Sequence, residues 1–146
     1  MSQRALFICW VVLGLFLTSP LHAQQWTRFR GPNGTGVGLA KNIPVAWTER
    51  DYDWKITLPG VGHSSPVVWG DRVFLMSADP EDATRFMLCV DAVTGKILWQ
   101  KTYPSTPHHL HTRNTFASGT PAVDEKHVYI AWSTPESATL KAFDHQ

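Results

Sequence analysis

"DAVTGKILWQKTYP", residues 91–104, decides how this chain is read. It sets Asp91, then Gly95-Lys96, then Trp99, inside a run of alternating apolar positions. The stretch holds no nucleophile–base pair and no pair of metal ligands. Asp91 precedes a turn whose backbone amides its carboxylate can accept from. Gly95 supplies the positive φ that such a turn needs, and its bare backbone offers a flat surface. Trp99 follows on a strand, carrying a large ring whose N–H wants an acceptor. These residues predict a tight turn built to dock an indole.

The arrangement is periodic. "SSPVVWGDRVFL" (64–75) matches "GTPAVDEKHVYI" (119–130) at an offset of 55 residues, with Pro66 on Pro121, Val68 on Val123 and Val73 on Val128. "MLCVDA" (87–92) matches "LKAFDH" (140–145) at an offset of 53, with Asp91 on Asp144. The difference of two is a shortened loop after Ser77, where deletions are tolerated. "WKITLP" (54–59) matches "WQKTYP" (99–104) at an offset of 45, with Trp54 on Trp99. Within each unit, short β-rich runs flank turn residues such as Gly70-Asp71 and Thr94-Gly95, and no stretch keeps a helical period over three turns. A unit of about 45 residues built from four strands in series is the period of a propeller blade. The expected fold is all-β, with antiparallel four-stranded blades, incomplete in this chain. Asp91, Gly95, Lys96, Trp99, Trp54 and Asp144 are the expected docking residues between blades.

"SSPVVWGDRVFLMSA" together with "LCVDAVTGKILWQ" resembles the PQQ-like β-propeller repeat, whose blades end in an Asp…Thr-Gly-Lys-x-x-Trp motif. The resemblance covers residues 26–146, and "WTRFRGPNGTGVG" and "HTRNTFASGTPAVD" are similar to an exported bacterial branch of that family. It implies a fold rather than one activity, since the family includes quinoprotein dehydrogenases and a scaffold lipoprotein of outer-membrane β-barrel assembly. Pyrroloquinoline quinone enters as a cofactor through the resemblance alone. The dehydrogenase branch implies a vicinal Cys-Cys ring, a Ca²⁺ held by Glu, Asn and Asp, and an Asp base. This sequence has no Cys-Cys pair and no carboxylate cluster at the matching blade tops. The expected function is therefore a non-catalytic interaction or ligand-binding scaffold, with a protein partner or small ligand at the propeller rim. The alternative is a subunit or fragment of a quinone-dependent oxidoreductase.

Residues 1–23 read as a secretory signal peptide: Arg4, the apolar run "ALFICWVVLGLFL", then "SPLHA" ending on Ala23. The competing membrane anchor would need about 20 apolar residues. The expected location is the periplasm or the medium, with membrane association only through export. Without Arg4 the chain carries 12 basic against 12 acidic residues, which gives no basic face for nucleic acid. Beyond residue 23 only Cys89 remains, so no internal disulfide, zinc or haem spacing exists there. Cys89, between Leu88 and Val90 on an expected strand, reads as a packed core residue.

The division that follows is a lead segment over 24–62 with a ring-closing strand at 54–58, a first blade over 63–104, a loop insertion over 105–118, and an incomplete second blade over 119–146. "PHHLHTRNTFAS" (107–118) stands where the first repeat has only "GVGHSS" (60–65 read as its counterpart), and insertions on one rim of a repeat array line its binding face. His108, His109 and His111 are candidate metal ligands there, although their spacing fits no standard zinc pattern. A solvated polar loop with turn-capping Asn and Ser residues is the other reading. His63, Asn114 and Ser118 are candidate ligand contacts on the same rim. "GPNGTGVG" (31–38) follows no strand, opens no helix and lacks the Lys-Ser/Thr end of a phosphate loop. Because the second unit stops at "KAFDHQ", the chain reads as an N-terminal fragment that misses later blades of the same protein. Residues 24–146 alone are then expected to be insoluble, oligomeric or only partly ordered.

Overall fold

The structure is a computed structural model that describes residues 25–41 and 43–146; the signal-peptide reading of residues 1–23 falls outside them. Seven strands form two antiparallel sheets. The first holds β1 (Val67–Trp69), β2 (Arg72–Ala78), β3 (Arg85–Asp91) and β4 (Ile97–Tyr103) in sequential order. The second holds β5 (Ala122–Val123), β6 (His127–Ser133) and β7 (Ala138–Asp144). The protein is all-β in these residues, apart from one 3-10 turn at Glu49–Asp51 whose start Thr48 and Asp51 cap reciprocally. Among them no helix is long and apolar enough to cross a membrane.

The two sheets share one register. Val67 pairs with Phe74 and Val68 with Val73, just as Ala122 pairs with Tyr129 and Val123 with Val128, 55 residues later. Arg72 faces Asp91 as His127 faces Asp144. The β2–β3 connection spans residues 79–84 and the β6–β7 connection 134–137, two residues shorter. That accounts for the change in offset.

The first sheet is apolar on both faces, so its central strands read as nearly continuous hydrophobic runs. Phe74, Met76 and Ala78 of β2 and Met87 and Cys89 of β3 point one way, where they pack with Val123, Val128 and Ile130 of the second sheet. Leu75, Leu88 and Val90 point the other way and are met by Trp54, Ile56 and Leu58. Residues 54–58, expected as a strand, are not hydrogen-bonded into either sheet. Their alternating side chains reach the sheet face, but their backbone finds no ladder partner among the described residues. Cys89 is fully buried, and desolvation pushes its thiol up to about 11, which keeps it protonated and inert.

The turn after β3 has the chemistry its sequence implied. Asp91 Oδ1 accepts from the Val93 and Thr94 amides at 3.0 and 2.7 Å and from the Thr94 hydroxyl at 2.8 Å. Gly95 has φ +72 and closes the turn by donating to the Asp91 carbonyl, while the Lys96 carbonyl accepts from the Asp91 amide. The ring lying on Gly95 is that of Trp54: a Cβ added there would sit 2.7 Å from the indole. Trp54 Nε1 donates to the Ala92 carbonyl at 2.9 Å. Trp99 repeats the contact on the second sheet, its Nε1 donating to the His145 carbonyl at 3.3 Å, and 145 is 53 residues after 92. The Trp99 ring, half-buried, leans on Phe74 at 6.0 Å between centroids. Asp144 Oδ1 accepts from the Gln146 amide as Asp91 does from Val93.

The N-terminal lead meets the first strand of each sheet. Trp26 exchanges both backbone hydrogen bonds with Val68 of β1, and the next carbonyl, of Thr27, accepts from Val123 of β5. One short segment thus joins the first strands of both sheets.

Replacing Trp54 with Ala is expected to cost about 2–3 kcal/mol, below the figure for a fully buried Trp because this ring is half-buried. Gly95→Ala should cost about 1–3 kcal/mol by displacing the same ring. In a denaturant titration the double variant should fall well short of the two losses added together; additivity would mean that ring and glycine act separately.

Turn carboxylates contribute to acid stability. Asp124 accepts from the His127 and Lys126 amides and the Tyr129 hydroxyl, which lowers its pKa to about 2. Hydrogen bonds from Thr94 likewise hold Asp91 below the usual carboxylate range. A depressed carboxylate stabilises fully above its unfolded pKa of about 3.9 and loses that contribution as pH falls through the folded value. Stability should therefore decline from about pH 4 downward, and Asp124→Asn should make that decline shallower. An unchanged slope in the variant would refute the assignment.

Candidate functional site

Residues 104–121 leave β4, cross the ends of both sheets and return to β5 as two side-chain-locked turns. In the first, the Asn114 amide donates to the His111 carbonyl at 2.8 Å and the Arg113 amide to His111 Nδ1 at 3.2 Å. In the second, Thr115 and Ser118 exchange: the Thr115 amide donates to Ser118 Oγ at 2.9 Å, and that hydroxyl donates to the Thr115 carbonyl at 3.1 Å. Ala117 is buried, and its carbonyl accepts from the His63 amide at 3.2 Å, while Thr120 Oγ1 accepts from the Ser65 amide at 3.1 Å. The loop is stitched to the entry of β1, which explains why so polar a stretch holds a defined path.

That stitching brings His63, Asn114 and Ser118 together. With Phe29, Arg113 and Thr120 they line an open groove of about 500 Å³. Ser118 Oγ is committed to Thr115, so it is not an activated nucleophile beside His63. The groove sets polar side chains beside the Arg113 guanidinium.

The three loop histidines are not brought together. His108 Nδ1 lies 3.0 Å from the Thr106 carbonyl, its ring edge-on to Phe116 at 5.1 Å, and it borders a different groove with Trp132 and Glu136. His111 turns its Nδ1 to the Arg113 amide, and His109 has neither partner. Among the described residues no three His, Cys, Asp or Glu side chains gather as a metal site. Cys89 is fully buried on β3 and has no second cysteine beside it in the sequence.

One residue escaped the sequence reading. Arg85, the first residue of β3, is 2% exposed. Its Nε donates to the Phe116 carbonyl at 2.8 Å and its Nη1 to Ser105 Oγ at 2.7 Å. The guanidinium lies 5.8 Å from the Phe116 ring centroid and 5.6 Å from that of Trp132. Burial lowers its pKa, yet a guanidinium stays charged. The signal was its phase: Arg85, Met87 and Cys89 alternate with Phe86, Leu88 and Val90, which places the arginine on the inward face. It borders a cleft of about 620 Å³ between the 114–119 segment and the β6–β7 hairpin.

Zn²⁺ or Cu²⁺ titrated into the protein should show no stoichiometric site that a His108→Ala/His109→Ala/His111→Ala triple variant removes. A one-to-one site lost in that variant would mean that the loop rearranges to bind metal.

Compared with known protein families and curated proteins, the chain matches no family model and no curated sequence.

Proposed function

We propose that this chain belongs to an exported PQQ-like β-propeller repeat protein that acts as a non-catalytic interaction or ligand-binding scaffold. The observation that carries the reading is the repeated docking contact: Trp54 Nε1 to the Ala92 carbonyl and Trp99 Nε1 to the His145 carbonyl, on hairpins of identical register. A contact that recurs with the repeat is how an array holds each sheet to its neighbour. The scaffold reading is supported by the groove at His63, Asn114 and Ser118, where polar groups converge without a nucleophile–base pair. The protein partner or small ligand would meet this rim.

Two measurements test the proposal. Protein recovered from an exported fraction should begin at Gln24 or within a few residues of it, and recovery only in the cytoplasm with Met1 intact would overturn export. Protein mixed with pyrroloquinoline quinone and Ca²⁺ should show no dye-linked oxidation of alcohols or sugars. Turnover would establish the quinone-dependent oxidoreductase instead.

A further inference from the structure

We infer that Arg85 is the anchor of a binding site for small organic monocarboxylates, in the cleft between the 114–119 segment and the β6–β7 hairpin. The inference begins from a missing charge. All twelve Asp and Glu residues of the sequence lie among the described residues, and none pairs with Arg85. Its pKa is moved by desolvation alone, with no charged neighbour contributing. A buried cation without a counter-ion is costly, and a guanidinium cannot shed its proton to escape that cost. The two rings and the two oxygen acceptors offset part of it. Of the five N–H donors these acceptors take two, and the planar fork is matched to a carboxylate.

The cleft selects the class of anion. Arg85 is its only charged lining residue, while Asn114 and Ser118 bring neutral polar groups and Phe116, Trp132 and Leu140 bring apolar surface. One positive charge balances one negative charge; a phosphate dianion would leave a net charge in a largely apolar cleft. The rings and Leu140 fit an organic body attached to the carboxylate rather than a bare ion. Leu140 is 74% exposed, so the cleft can be altered from its rim without touching the core. The inference rests on the scaffold reading only in that the ligand is held, not transformed.

The test is titration calorimetry of the full chain with 3-phenylpropionate, with 3-phenylpropionamide and inorganic phosphate as comparison ligands. The carboxylate should bind one-to-one, and the amide and phosphate about tenfold more weakly or not at all. Leu140→Trp, which fills the cleft from its rim, should weaken the carboxylate by about tenfold while leaving the unfolding midpoint unchanged. Arg85→Lys keeps the charge but loses the fork and should also weaken it. Equal binding of acid and amide, tighter binding of phosphate, or Leu140→Trp and Arg85→Lys binding like the parent would each overturn the site. Ligand consumed during the titration would count against the scaffold reading and leave the anchor standing, so the two failures are told apart.

Discussion

Phe74, Met76, Met87 and Cys89 on one face and Leu75, Leu88 and Val90 on the other impose the governing constraint: the first sheet must be covered twice. Each such side chain contributes roughly 1.5–3 kcal/mol when fully buried, and only a sandwiched sheet collects that from both faces. The second sheet covers one side through Val123, Val128 and Ile130. Residues 54–58 cover the other with Trp54, Ile56 and Leu58. Their want of ladder hydrogen bonds matters less than their spacing, because the covering is done by side chains two residues apart.

Layers held only by apolar contact could slide, and the tryptophans fix their register. An indole on a turn backbone has both a flat contact and one directional hydrogen bond, so it specifies a position as well as adding area. Gly95 is what lets the Trp54 ring approach. At the second sheet, the His145 carbonyl accepts from Trp99 of β4 and also from Arg72 of β2, so two strands of the first sheet grip one backbone atom beside β7. Lys101 reinforces this seam, its ammonium 5.2 Å from the Trp99 ring and 5.3 Å from that of Phe143.

What was legible in the sequence was whatever local chemistry encodes. Gly95 announced its positive φ, Gly70-Asp71 and Asp91 announced their turns, and the offsets of 55 and 53 matched four strand pairings, two in each sheet. The grouping of His63, Asn114 and Ser118 was legible only as a shared rim; it depends on the Ala117 and Thr120 contacts, which no spacing foretells. The alternation through residues 54–58 was read as a strand because periodicity reports which side chains are covered, not whether the backbone is paired. His108, His109 and His111 were candidate metal ligands by their closeness in sequence, yet the ring nitrogens of His108 and His111 meet loop backbone instead.

Arg85 shows why alternation should be read for its exceptions as closely as for its rule. A valine there would have continued the inward face of β3 with Met87 and Cys89 at no electrostatic cost. The arginine instead draws the 105–118 segment onto the sheet ends, through the Phe116 carbonyl and the Ser105 hydroxyl. One buried side chain therefore adds two anchors to a segment that the Ala117 and Thr120 contacts also hold. It also leaves there a buried positive charge that no carboxylate among the described residues balances, a cost that the two rings and the two oxygen acceptors offset only in part.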